Sequence, residues 1–170
     1  GTVITAIDGT TIAPGDNWYR LLNRKAGTAV RLSLLGGSAR WDETVKPISW
    51  GEQSQLLYLR WARANHDEVV KFSAGRLGYA HIRGMSDGPY REIFQDIFGR
   101  DTEKEAIVLD TRFNGGGNLD EALTVFLTGR VFEKNVPRGQ YLGDEPSMRW
   151  NKPSIVVMNE GNYSDAHCFP

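Results

Sequence analysis

Ala106-Ile107-Val108-Leu109-Asp110-Thr111-Arg112-Phe113 runs into Asn114-Gly115-Gly116-Gly117, and an amphipathic stretch from Asn118 to Thr128 follows. Further on, Ser154-Ile155-Val156-Val157-Met158-Asn159-Glu160 runs into Gly161-Asn162-Tyr163-Ser164-Asp165. Each stretch reads as a strand, a loop and the start of a helix. The strand centres Ile107–Leu109 and Ile155–Met158 are apolar without alternation, the pattern of strands covered on both faces in a largely parallel sheet. Strands alternating with helices predict an α/β fold. Functional groups in such sheets collect at the carboxyl ends of the strands. The three-glycine loop and Ser164 are therefore expected on one edge.

Both loops carry residue types suited to chemistry. Glycines let backbone N–H groups come close to a ligand, and the following helix adds a positive dipole end. Such a loop stabilises an anion, either a phosphate or the oxyanion of acyl transfer. No Gly-Lys-Ser/Thr and no Gly-x-Gly-x-x-Gly accompanies it, which removes the usual support for phosphate. A plain tight turn is the third reading. Ser164 is open to two readings: a nucleophile, or the N-cap of the helix after it. The Gly-x-Ser-x-Gly elbow is not matched by Asn162-Tyr163-Ser164-Asp165-Ala166, although Ala166 is small enough for close helix packing.

Working outward, Leu77–Ile82 reads as a strand and Asp87–Phe98 as an amphipathic helix closed by Gly99. Gln53–Phe72 reads as a long helix with Leu57, Trp61, Ala64 and Glu68 on one face and Gly75 as its C-cap. Before it, Val3–Ile7 is a strand and Asp8-Gly9 a tight turn. Asp16 suits the N-cap of a short helix at Asn17–Leu22. Ala29–Leu35 alternates as a half-buried strand, and Trp41–Ile48 returns beside it. Three parts result: a module over residues 1–48, a connecting helix over 49–75, and an α/β core over 76–170. The segment from Pro146 to Pro153 reads as an irregular connection whose Trp150 packs down.

Composition excludes several functions. The 170 residues are 40% hydrophobic and 24% charged, with a net charge of −1, so no strong field draws the chain to nucleic acid or an anionic membrane. Apolar runs are far too short to span a bilayer. No basic-then-apolar leader opens the chain, and Gly1 reads as a mid-domain start. The single cysteine, Cys168, rules out an internal disulfide and a cysteine metal cluster; it reads as a small core residue. No metal or cofactor is expected.

A nucleophilic serine needs an adjacent base. The three histidines each have another reading. His66 sits mid-helix on a solvated face, His81 points at the sheet surface, and His167 lies one helical turn past Ser164.

Taken together, Gly75-Arg76-Leu77-Gly78-Tyr79-Ala80-His81-Ile82, the Asp110-Thr111-Arg112-Phe113-Asn114-Gly115-Gly116-Gly117 run and Asn159-Glu160-Gly161-Asn162-Tyr163-Ser164-Asp165 resemble the tricorn-like branch of the carboxyl-terminal-processing serine peptidases. Val3–Gly9 and Ala26–Leu32 look like the later part of a PDZ module. The resemblance implies a crotonase-like α/β core preceded by a partial PDZ-like module. It makes Ser164 the nucleophile of an acyl-enzyme mechanism. The oxyanion donors would be the N–H of Asp165 and one N–H from Gly116 or Gly117. Peptides or unfolded proteins would be the substrate. In tricorn-like enzymes the catalytic histidine precedes the PDZ module and an activating glutamate follows the nucleophile, so both are expected outside residues 1–170. This stretch is then expected to be a catalytically deficient piece of a larger peptidase that forms, in one version, a homo-oligomer. Its compartment stays open between cytoplasm and the periplasmic or secreted space. Two other functions remain in view: a non-catalytic PDZ-type peptide-binding scaffold, and a crotonase-type acyl-CoA enzyme. The second is poorly supported, since no basic cluster marks an adenosine-phosphate site.

Overall fold

The computed structural model describes all 170 residues, which divide into two compact units, Gly1–Arg60 and Trp61–Pro170. The first unit is an antiparallel sheet of β1 (Val3–Ile7), β2 (Thr10–Thr11), β3 (Val30–Gly36) and β4 (Ala39–Val45) in the order β2-β1-β3-β4. Asp8 and Gly9 both take positive φ, at 48° and 81°, the backbone of the tight turns that join antiparallel neighbours. The Asp8 carboxylate then accepts from Lys25 Nζ and from the Arg31 N–H, tying the turn to β3. Ile7 and Val30 form the buried centre. Asp16 does not cap the short 3-10 turn at Trp18–Leu22: its carboxylate accepts the Ala13 N–H behind it at 2.8 Å.

Helix α1 (Trp50–Phe72) begins at a local capping box. Ser49 Oγ accepts the Glu52 N–H, and Glu52 accepts the Ser49 N–H at 2.7 Å. Its shielded stripe runs through Tyr58, Trp61, Asn65 and Val69, whereas Leu57, Ala64 and Glu68 are exposed. The expected face is rotated because aromatic Trp61 and polar Asn65 turn inward and the leucines do not. His66 is half-buried, with Nδ1 3.0 Å from Asp67, rather than solvated.

The second unit is α/β. Strands β5 (Leu77–His81), β6 (Ala106–Asp110) and β9 (Ser154–Val157) form a parallel sheet in the order β5-β6-β9. Helix α2 (Asp87–Gln95) continues through a wide turn at Asp96–Arg100, so Gly99 lies within the helical run and does not end it. Helix α3 (Asp120–Thr128) leads to a hairpin of β7 (Glu133–Asn135) and β8 (Gly143–Glu145). Ile82, Ile93, Ile97, Ile107, Leu109, Leu123 and Phe126 pack into one core, edged by Phe94 and Phe98. Trp150 is buried there, and its N–H bonds the Phe126 carbonyl at 3.0 Å. Helix α4 (Asp165–Cys168) points Ala166 inward and leaves Cys168 exposed. Cys168 is thus not the core residue its chemistry suggested, because Ala166 holds the inward position of that single turn. No helix is long and apolar enough to cross a membrane.

Gly78 in β5 has a packing constraint of its own. A Cβ there would lie 2.8 Å from Cβ and Cγ of Asp101, which is fully buried and held by Arg100 at 3.0 Å. The aspartate has nowhere to move without breaking that pair. Gly78→Ala is expected to destabilise the fold by about 1–3 kcal/mol, read by urea unfolding; unchanged stability would show that Asp101 shifts freely.

Candidate active site

His81, Asp110 and Val157 lie in register at the carboxyl ends of the three parallel strands. The chain beyond each end enters one cluster. Met85 bridges to the glycine loop, donating to the Gly116 carbonyl at 3.2 Å and accepting from the Asn118 N–H at 3.0 Å. The Tyr163 N–H donates to the Asn114 carbonyl at 3.0 Å. Asn114 is itself fully buried, with Nδ2 on the Ile82 carbonyl at 2.8 Å and Oδ1 accepting the Gly116 N–H at 2.9 Å.

Ser164 stands between β9 and α4, exposed, with φ 53° and ψ −131°. A non-glycine residue in that region costs on the order of 1–3 kcal/mol and persists only where its surroundings impose it. Here Asn162 Nδ2 bonds Thr111 Oγ1 at 2.7 Å and the Ala166 carbonyl at 3.0 Å. Asn159 Oδ1 accepts from both Phe113 and Gly161. The backbone is a strained strand-to-helix turn, and it lacks the glycines of the Gly-x-Ser-x-Gly elbow. Although Ser164 occupies the cap position, its hydroxyl makes no cap bond.

The glycine loop is pressed against this turn. A Cβ on Gly116 would lie 2.7 Å from Ser164 Cβ and from the Tyr163 carbonyl oxygen, and 3.2 Å from the Asp165 nitrogen. One on Gly117 would lie 1.9 Å from the Met85 carbonyl oxygen, and its φ of 154° favours glycine besides. Because Asn114 takes the Gly116 N–H, the choice between the two glycine amides narrows to Gly117. The N–H groups of Gly117 and Asp165 have no acceptor within the chain. Amides of this kind, one on the residue after the exposed Ser164 and one on the glycine loop packed against its turn, are suited to holding a developing negative charge.

None of the three histidines bonds the Ser164 hydroxyl. His81 Nε2 donates to the Arg112 carbonyl at 3.0 Å, and its ring meets Trp61 edge-on at 4.8 Å. Burial pushes its pKa below the ordinary value, so the imidazole is neutral at pH 7. His167 is exposed.

Beneath the loop lies a network that the linear sequence did not disclose. Asp110 is buried and accepts Tyr79 Oη–H at 2.7 Å, the Arg112 N–H at 3.0 Å and Arg112 Nη2 at 2.6 Å. Arg112 lies over the Trp61 ring at 5.1 Å. Burial raises the Asp110 pKa, but the hydrogen bonds from Arg112 and Tyr79 outweigh it, and the carboxyl is held below the usual range. Burial, then the bond to Asp110, pushes the Tyr79 phenol up. The spacing Asp110-x-Arg112 was a visible signal; Tyr79 and Trp61 come from other elements.

With its folded pKa lowered, Asp110 contributes stability that is complete above its ordinary value of 3.8 and lost as pH falls through the lower folded value. Asp110→Asn should destabilise the fold by about 3 kcal/mol at pH 7, at the low end for a broken buried pair because the Arg112 side chain is partly exposed. Urea unfolding should show the difference from wild type shrinking as pH drops below about 4; a gap that stays constant down to pH 3 would contradict the pairing.

The model of peptidase family S41 matches residues 76–170. Tricorn protease of Thermoplasma acidophilum is 31% identical over 99% of this chain and 16% of its own length. The tricorn protease homolog of Saccharolobus solfataricus is also 31% identical, over 99% of this chain and 15% of that protein. The crystal structure of the tricorn protease aligns with a TM-score of 0.77 at 30% identity, covering 99% of this chain and 16% of that one. The chain therefore spans about one-sixth of the length of these relatives. With the glycine loop and the serine turn both inside the matched stretch, the chain belongs to peptidase family S41.

Proposed function

We propose that residues 61–170 carry the nucleophile and the oxyanion hole of a serine peptidase that cleaves peptides or unfolded proteins. The observation behind this is the strained, exposed Ser164 held against Gly116, with N–H groups on Gly117 and Asp165 that have no acceptor in the chain. In this reading Ser164 Oγ attacks the scissile carbonyl. The oxygen of the tetrahedral intermediate receives hydrogen bonds from the Gly117 and Asp165 N–H groups. Collapse expels the amine and leaves an acyl-enzyme on Ser164, which water hydrolyses. The proton acceptor comes from outside residues 1–170, since Ser164 has no basic partner among them and His81 is committed to Arg112.

The parallel sheet with helices after each strand is taken as a crotonase-like core. The four-stranded antiparallel sheet is taken as part of a PDZ-like module that binds peptide, with α1 as the connection.

A fluorophosphonate applied to the whole protein is expected to label Ser164, and Ser164→Ala is expected to abolish both label and peptide turnover. Gly117→Ala keeps its N–H, but its Cβ would meet the Met85 carbonyl oxygen at 1.9 Å; the loop must shift, and kcat should fall by about 10²–10³, the effect of misplacing one oxyanion donor. Turnover that survives Ser164→Ala in folded protein would sink the assignment.

A further inference from the structure

The carboxylate of Asp165 has a role separate from that of its amide. Asp165 Oδ2 accepts two backbone N–H groups from another element, Leu119 at 2.6 Å and Asp120 at 3.1 Å. These are the first donors of α3, which begins at Asp120. A helix start is ordinarily capped by the side chain just before it. Here Leu119 holds that position, and leucine has nothing to offer. The cap comes instead from the residue next to Ser164.

We propose that the Asp165 carboxylate is a positioning residue for the oxyanion hole, clamping the serine turn to the glycine loop. The inference rests on the peptidase reading and deepens it. One end of Asp165, its N–H, lies beside Gly116, where a Cβ would come within 3.2 Å. The other end grips Leu119, only one residue beyond the neighbour of Gly117. A short ring is thereby closed from the Gly117 amide through Asn118 to the Leu119 N–H, across the hydrogen bond to the carboxylate, and back to the Asp165 amide. The separation of the two proposed donors is set by that ring. On the other side, the Tyr163 N–H on the Asn114 carbonyl braces the same two loops, so the amides sit between two cross-links. Cutting the clamp leaves both amides present and lets them drift, and a misplacement of about 1 Å can cost a factor of about 10² in rate.

The test compares Asp165→Ala and Asp165→Asn in the whole protein. Rates are normalised to sites titrated with a fluorophosphonate, so that loss of folded protein does not count as loss of catalysis. Asp165→Ala is expected to lower kcat by roughly 10- to 100-fold with KM within threefold, since the interaction matters in the transition state and not in substrate binding. Fluorophosphonate labelling should slow in parallel. Asp165→Asn keeps an amide oxygen at the same reach and should recover at least tenfold of the loss. Hydrogen exchange at Leu119 and Asp120 should speed up in Asp165→Ala alone. Should that variant not fold, Asp165→Ser, with an arm too short to reach Leu119, replaces it with the same expectation. Faster exchange with unchanged kcat overturns the proposal, as does a kcat loss that Asp165→Asn fails to recover. Failure of the peptidase reading is seen separately, as label or turnover that persists in Ser164→Ala, while the exchange data still report on the clamp.

Discussion

Asn114 is polar, fully buried, and set where the strand ends of the parallel sheet converge. Leaving such an amide unpaired costs about 1–3 kcal/mol, and Asn114 leaves nothing unpaired that matters here. Its Nδ2 reaches the segment after β5, its Oδ1 folds the glycine loop, and its carbonyl accepts from the serine turn after β9. Three loops from three strands are thus held by one residue. The parallel register brings the loops to the same edge, but register alone would leave them free to move. The buried amide gives them a fixed arrangement.

The region this residue secures carries backbone strain of its own. Ser164 and Phe113 both take positive φ, each costing on the order of 1–3 kcal/mol. Asn159 meets part of that cost by accepting the Phe113 and Gly161 N–H groups, and Asn162 by bracing Thr111 against Ala166. Phe113 rests its ring near Trp61, at 6.2 Å between centroids, yet stays largely exposed. Three asparagines, each bonded through its side chain, hold a backbone that local preference would reject. Asp110 and Arg112 do the same work one layer down.

Periodicity and glycine placement made the strands and the loops legible. Continuous apolar runs at Ile107–Leu109 and Ile155–Met158 marked two strands of the parallel sheet, but only β6 is largely shielded: β9 is an edge strand and Ile155 and Met158 are exposed, so coverage on both faces does not hold there. Other features depended on partners far along the chain. Tyr79 to Asp110, and Asp165 to Leu119, are contacts between elements, which no local pattern announces. The hairpin β7–β8 was missed because Glu133-Lys134-Asn135 and Gly143-Asp144-Glu145 lack the alternation of ordinary strands. On α1, apolar character misled: Leu57 is exposed and Asn65 shielded, since the stripe is chosen by what packs against it. Ser164 was ambiguous for a plain reason. A cap and a nucleophile occupy the same position at a helix start, and the Ser164 hydroxyl makes no cap bond.

Two carboxylates on the segments that carry the proposed oxyanion site, Asp110 at the end of β6 and Asp165 in the serine turn, would seem to oppose it. An unpaired carboxylate about 4 Å from an oxyanion would repel it by about 4 kcal/mol at an effective dielectric near 20. That would erase what one donor supplies, about 2.7–4 kcal/mol. Neither carboxylate is unpaired. Asp110 is neutralised by the Arg112 guanidinium and bonded by Tyr79. Asp165 is turned away, onto the N-terminal amides of α3, where the helix dipole offers roughly half a positive charge. The acids that build the site are thereby screened by the groups they hold. In the proposed mechanism the amides of Gly117 and Asp165 then meet no strong opposing field from these two acids.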